Sequence, residues 1–180
     1  STNKKYVEYS KDFESRLSID FEEGLIVVEV LGEKTQTKEK TLEKISKTIE
    51  RAVKIKHDKK SYLLENQLKT NDNVEVKATS SKETLNQLIL DKDIEVSDDY
   101  IANDGRERVS YSVSIPLVDN HLDIRADKFK NIIYKYSKEF NLDPAIVFAI
   151  IETESAFNPK AKSHVPAYGL MQLVPETGAR

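Results

Sequence analysis

The residues best equipped for chemistry lie together near the end of the chain, in Ile150-Ile151-Glu152-Thr153-Glu154-Ser155 and in Tyr168-Gly169-Leu170-Met171-Gln172. Two carboxylates, two residues apart, close an apolar run. On a helical wheel at about 100° per residue, Glu154 follows Ile150 by four positions, Ile151 by three and Val147 by seven. That spacing puts Glu154 in the middle of an apolar arc and Glu152 beyond its edge, in solvent. A glutamate so placed has two readings. Near a helix end its side chain can simply reach water. In a partly dry cleft, loss of hydration disfavours the charged form, and a carboxyl that stays protonated near neutral pH can act as a general acid.

The segment after it favours the second reading. Asn158-Pro159 turns the chain, and a polar loop through His164 leads to Gly169-Leu170-Met171-Gln172. Gly169 permits close backbone approach, and Gln172 offers both a donor and acceptors. Ser155 is placed to hydrogen-bond the carboxylate or a ligand, or is a polar residue at a helix end. Gln172 is a candidate orienter of the acid or of a ligand group. Tyr168 and Met171 are cleft wall or plain packing. Glu176, after Pro175, reads as an acid favoured at a helix start. His57, His121 and His164 have no metal-site spacing; His121 reads as linker structure and His164 as loop surface. No nucleotide or cofactor motif is visible.

Helices must position these groups. Asp143 is an N-cap candidate with Pro144 at the first helical position, and the helix it opens runs to about Ala156, stopped by Asn158-Pro159. The helix before it, Arg125 to Phe140, carries Phe129, Ile132, Ile133 and Tyr136 on one side.

Upstream the pattern changes. Arg16–Phe21 alternates, Leu25–Leu31 is β-type, and Glu22-Glu23-Gly24 between them predicts a hairpin. Val109–Ile115 alternates again and can pair with it. Lys5 to about Ser15 reads as a short amphipathic helix, from Tyr6, Tyr9 and Phe13 at helical spacing. Thr37 to about Lys56 is a helix with Leu42, Ile45, Ile49, Ala52 and Val53 recurring at three and four residues. Val74–Val76 is a candidate short strand, Ser81 to about Leu90 a capped helix, and Asp98–Glu107 a loop turning at Asn103-Asp104-Gly105. The fold class is therefore α+β: an N-terminal α+β domain over residues 1–118, an antiparallel sheet with helices, then a helical part over 119–180.

Composition narrows the function classes. The 180 residues are 38% hydrophobic, enough for a modest core or two small ones, and the net charge is −3. No basic excess points to nucleic acid. With no cysteine, a disulfide, a thiolate metal site and a Cys nucleophile are excluded. No apolar run reaches the roughly 18 residues that span a bilayer. The chain opens Ser1-Thr2-Asn3-Lys4 without a targeting pattern.

Together, Glu154-Ser155, Phe157-Asn158-Pro159, Ala161, Ser163, Gly169-Leu170-Met171-Gln172 and Pro175-Glu176-Thr177 resemble the opening motifs of the family 1, soluble-lytic-transglycosylase-like (SLT) murein transglycosylases, whose fold is similar to goose-type lysozyme. Upstream, Arg16–Val30 and Ile115–Leu122 resemble the N-terminal and linker regions of the membrane-bound lytic murein transglycosylase C family. Residues 57–105 carry no such match. Pro166 departs from the pattern, standing where many members have glycine. The family's catalytic domain continues past this motif, so residues 119–180 are expected to be a linker and about the first third of a lysozyme-like domain, incomplete and inactive alone.

The resemblance implies cleavage of the β-1,4 bond between N-acetylmuramic acid and N-acetylglucosamine in peptidoglycan glycan strands. Glu154 would act as acid and then base, giving a 1,6-anhydro sugar without cofactor or metal. One carboxylate suffices for that logic, where most glycosidases need a pair. Ser155, Tyr168, Gly169, Met171 and Gln172 would be substrate-binding. It also implies a periplasmic, outer-membrane-associated lipoprotein, its lipid anchor carried by a precursor. Two other readings stand beside this one: a non-catalytic module that binds peptidoglycan or a protein, and simple hydrolysis as in lysozyme.

Overall fold

The computed structural model describes residues 3–101 and 105–178. Its elements run β1 (Lys5–Tyr9), β2 (Ser15–Asp20), β3 (Leu25–Gly32), α1 (Lys38–Val53), α2 (Lys82–Gln87), β4 (Glu95–Val96), β5 (Tyr100–Ile101), β6 (Glu107–Pro116), α3 (His121–Glu139), α4 (Pro144–Ser155) and α5 (Pro175–Gly178). The fold is α+β. Six strands form a sheet in the order β1-β2-β3-β6-β4, with β5 also on β6. The chain divides into two compact units. One comprises Val7–Ser18 and Leu25–Leu117, the other Ser1–Tyr6, Ile19–Gly24 and Val118–Arg180.

The first unit is built on the long antiparallel pair β3–β6. Its register sets Ile26 against Ile115, Val28 against Val113 and Val30 against Tyr111. These side chains are buried, while Ser110, Ser112 and Ser114 alternate on the other face of β6. A period of two is what a half-buried strand requires. Helix α1 packs on β3 through Ile45, Ile49, Ala52 and Val53, all buried. Thr37 caps it by accepting from the Lys40 amide at 3.3 Å. Leu85, Leu88 and Ile89 of the α2 region are buried as the spacing predicts.

Four sequence expectations change. Lys5–Ser15 is not a helix: Tyr6, Val7 and Tyr9 are strong strand formers and form β1. A tight turn follows, in which Asp12 accepts from the Glu14 amide at 3.1 Å and Phe13 takes a left-handed φ of 59°. The helical spacing of its aromatics was coincidental. Val74–Val76 is reduced to one bridge, Lys69 to Glu75, and Val74 faces solvent. The Asp98–Glu107 loop contains strand β5; Asn103 and Asp104 lie outside the described residues. Helix α3 begins four residues early, at His121.

The second unit holds helices α3, α4 and α5 and the hairpin tip Ile19–Gly24. Ile133, Ile151 and Phe157 form its buried apolar centre, with Leu122, Ala126, Phe129, Val147, Phe148 and Leu170 packed around them. Asp143 caps α4 by accepting from the Ala145 amide at 2.9 Å, with Pro144 in the first turn. The helix ends earlier than Asn158-Pro159: Ala156 (φ 48°) and Phe157 (φ 58°) are both left-handed and reverse the chain. Among the described residues no helix is long and apolar enough to cross a membrane. Replacing Asp143 by Ala removes a side-chain cap and should lower stability by about 1 kcal/mol, read as a drop in denaturation midpoint at unchanged slope.

Candidate active site

The side of α4 that packs is set by Val147, Phe148, Ile151 and Ser155. Ile151 and Ser155 are buried, and Val147 and Phe148 are half-buried. Ile146 and Ile150 are open to solvent, at 59% and 40% exposure. Glu154 therefore does not sit in the middle of the packed arc. It stands at the arc's border, half-buried, between the packed side and the open apolar strip. The wheel erred because it counted Ile150 as core. Glu152 is exposed, about 160° around the helix from Glu154. It lines a cleft of about 170 Å³ with Lys4, Glu22, Leu122, Thr153 and Ala156. Among the described residues the Glu154 carboxylate has no hydrogen bond or ion pair, while its backbone carbonyl accepts from Asn3 Nδ2.

Ser155 is completely buried. Its hydroxyl lies 3.0 Å from the Ile151 carbonyl oxygen and 2.8 Å from that of Leu170, and shares its single hydrogen between them. It thus ties the last turn of α4 to the Gly169–Gln172 segment. That segment is a closed loop. Tyr168 and Leu173 exchange backbone hydrogen bonds of 3.0 and 3.1 Å, and the Gly169 amide donates to the Ala161 carbonyl at 2.9 Å. Gly169 is required by its φ of 73°; among the described residues a Cβ there would meet nothing within 4 Å. Leu170 turns inward to the apolar cluster, while Met171 and Tyr168 are exposed. Gln172 donates from Nε2 to the Gly169 carbonyl at 2.9 Å. Its Oε1 is buried without a partner among the described residues. The structure thus brings Glu154, Ser155 and the Gly169–Gln172 loop together through one hydroxyl. Glu176 opens the short helix α5 and is exposed.

Sequence reasoning missed the group that holds the other side of α4. Arg125 is 2% exposed and the largest fully buried side chain. Its Nε donates to the Ala156 carbonyl at 2.9 Å, one of the carbonyls a helix end leaves unpaired. A second nitrogen donates to the Phe21 carbonyl on the hairpin tip, and the guanidinium carbon lies 5.0 Å from the centre of the Phe21 ring. The third donates to His121 Nδ1 at 3.1 Å, which leaves the ring hydrogen on Nε2. Burial pushes Arg125 down to about 10, so it remains charged at neutral pH. Burial, and then the Arg125 charge, hold His121 below its ordinary value. His121 is therefore packed structure, on the face of Gly24. The signal for Arg125 was available: Arg125, Phe129 and Ile133 follow Leu122 by three, seven and eleven residues and share its helix face, so Arg125 is a charge on an apolar face, the same anomaly that singled out Glu154.

His57 and His164 are elsewhere in the chain from this cluster. Among the described residues, no group of three or more His, Cys, Asp or Glu side chains could hold a metal ion.

With this geometry established, comparison with known proteins places the parts. Residues 131–180, which include Glu154, match the family described as Transglycosylase SLT domain. Residues 1–128 match the family described as Membrane-bound lytic murein transglycosylase C, N-terminal domain. The chain is 31% identical to the membrane-bound lytic murein transglycosylase C of Klebsiella pneumoniae, over 98% of this chain and 50% of that protein. It is 31% identical to that of Histophilus somni strain 2336, over 100% of this chain and 50% of that protein. The chain belongs to the membrane-bound lytic murein transglycosylase C family. It spans about half the length of the curated relatives it matches.

Two outcomes follow from the site. Ser155→Ala leaves the part-buried Leu170 carbonyl without this donor and should cost roughly 1 kcal/mol of stability. His121 binds a proton less readily folded than unfolded, so its contribution is present above its ordinary value near 6.5 and is lost as pH falls through it. The neighbouring charges are Arg125, Asp119 and Asp123. Thermal midpoints should fall between pH 7.5 and 5.5, and His121→Gln should flatten that fall.

Proposed function

We propose that this chain is the acid-bearing portion of a peptidoglycan lytic transglycosylase, with Glu154 as the single acid/base. The observation that carries the reading is the junction of α4 with the Gly169–Gln172 loop through Ser155, within the segment that matches the SLT domain. It sets a half-buried glutamate beside a loop whose glycine is open on its Cβ side.

In the reaction, protonated Glu154 donates to the glycosidic oxygen between N-acetylmuramic acid and N-acetylglucosamine as that bond breaks. The substrate's acetamido oxygen assists at the anomeric carbon. Glu154, now a carboxylate, takes the proton of the muramyl 6-hydroxyl, whose oxygen closes onto the anomeric carbon. The acid ends protonated as it began, and the product is a 1,6-anhydro sugar. One group serves as acid and base in succession, so no second carboxylate is needed. Ser155 spends its hydrogen on backbone carbonyls, so its role is to position. Gln172 holds the loop closed by donating from Nε2 to the Gly169 carbonyl; its Oε1 is buried and would have to turn outward to accept from a sugar hydroxyl or amide. Tyr168 and Met171 form wall.

By the same family membership, the site of action is the bacterial cell envelope, with glycan strands as the partner. Attachment through a lipid in the periplasm fits the relatives' description as membrane-bound.

The test is mass spectrometry of soluble products after sacculi are treated with this chain and with a version extended to its relatives' length. The extended protein should release anhydro-muropeptides and the 180-residue chain should not. Products with a free reducing end would mean hydrolysis. Silence from both, with retention on the glycan, would make this a binding module. In the extended protein, Glu154→Gln should reduce turnover at least a thousandfold and Glu152→Gln less than fivefold. Comparable losses in the two variants would assign the wrong acid.

A further inference from the structure

The two family matches divide the Arg125 cluster unevenly. Phe21, Gly24, His121 and Arg125 all fall within residues 1–128, which match the N-terminal domain. Only the Ala156 carbonyl falls within residues 131–180, which match the SLT domain. Yet all five residues lie in one compact unit.

We propose that the tip of the β2–β3 hairpin is a positioning device for the acid, holding the last turn of α4 and through it the Glu154 carboxylate. This inference rests on the reading of Glu154 as the acid. It gives the N-terminal domain a task in catalysis distinct from binding.

The geometry is a short chain of rigid contacts. Gly24 has a φ of 65°, and a Cβ placed on it would lie 2.4 Å from His121 Nε2. The imidazole is therefore pressed against a bare backbone. Its other nitrogen accepts from Arg125. The guanidinium is planar, and its donors point in fixed directions. One edge reaches Phe21 on the tip and another reaches Ala156, two residues beyond Glu154. A lysine carries its three donors on a single nitrogen and cannot reach acceptors that three separate guanidinium nitrogens reach here. The Glu154 side chain has no bond of its own among the described residues, so its position depends on the backbone that carries it. Ser155 anchors that turn toward the Leu170 loop and Arg125 anchors its end toward the hairpin. Removing either leaves the turn held on one side.

The experiment uses Gly24→Ala and Arg125→Lys, with Glu154→Gln as control. In the 180-residue chain, hydrogen exchange at the amides of Ile151–Ala156 is compared with that of central α3 amides. Both variants should speed exchange in the α4 end at least tenfold and leave central α3 within twofold. In the protein extended to its relatives' length, kcat on soluble glycan strands should fall at least tenfold with KM within twofold. Folded variants with wild-type exchange at Ile151–Ala156 would overturn the proposal, as would faster exchange with unchanged kcat. If Gly24→Ala does not fold, Arg125→Lys and His121→Asn decide by the same readouts. If exchange rises as stated but the extended wild-type protein never turns over, the reading of Glu154 fails while the hairpin's hold on α4 stands.

Discussion

Arg125 carries a full charge in a place almost without water, and the surrounding structure is shaped by the need to accommodate it. An unpaired ion there would cost several kcal/mol. The chain meets that demand with polar groups that are themselves short of partners. Ala156 offers a carbonyl from the end of a helix, where the backbone has no intrahelical donor. Phe21 offers another from just past the end of a strand, and its ring faces the cation. His121 stays neutral and accepts. Each partner solves its own bonding problem by solving that of the arginine. The cluster joins a hairpin tip to two consecutive helices far from it in sequence.

Around that anchor the helical unit has an asymmetric build. The side of α4 toward Ile133 and Phe157 is packed and hydrogen-bonded, and the side bearing Ile146 and Ile150 is open. Glu154 stands on the line between them. In the role proposed for it, Glu154 would have to meet a polymer, which a place deep in a core forbids, while a place free in solvent would give it nothing from its surroundings. A border position, with a rigid backbone on one side and apolar surface on the other, fits a group that must hold and release a proton against a bulky substrate. The loop tied to α4 through Ser155 is equally constrained. Left-handed residues at Gly169 and Gln172 let four residues close between paired neighbours and turn Leu170 inward.

Much of this was legible in the sequence wherever one physical rule governed a segment. Alternation in Val109–Ile115 marked β6, because burial on one sheet face enforces a period of two. Asp143-Pro144 marked the start of α4, because capping chemistry is local. Where two rules competed, the reading failed. Tyr6, Tyr9 and Phe13 satisfied a helical period by accident, and the pairing of β1 in the sheet overrode it. Ile150 is apolar but not packed, so the arc drawn through it was displaced and Glu154 moved from its middle to its edge. The largest omission was Arg125. Reading α3 from Arg125 onward hid its relation to His121, four residues earlier. Two of its partners, at Phe21 and Ala156, are backbone carbonyls, which leave no mark in a residue pattern.

The contact of Gly24 with His121 bears on how the family can vary. The imidazole occupies the volume that any side chain at position 24 would need. Position 24 cannot gain a side chain while the imidazole stays in place. A relative that gains a side chain at 24 must shrink the residue at 121, and then Arg125 loses an acceptor that some other group has to supply. The hairpin turn and the first residue of α3 should therefore change together across homologous sequences, as a covarying pair nearly a hundred positions apart, with the arginine as the fixed member that links them.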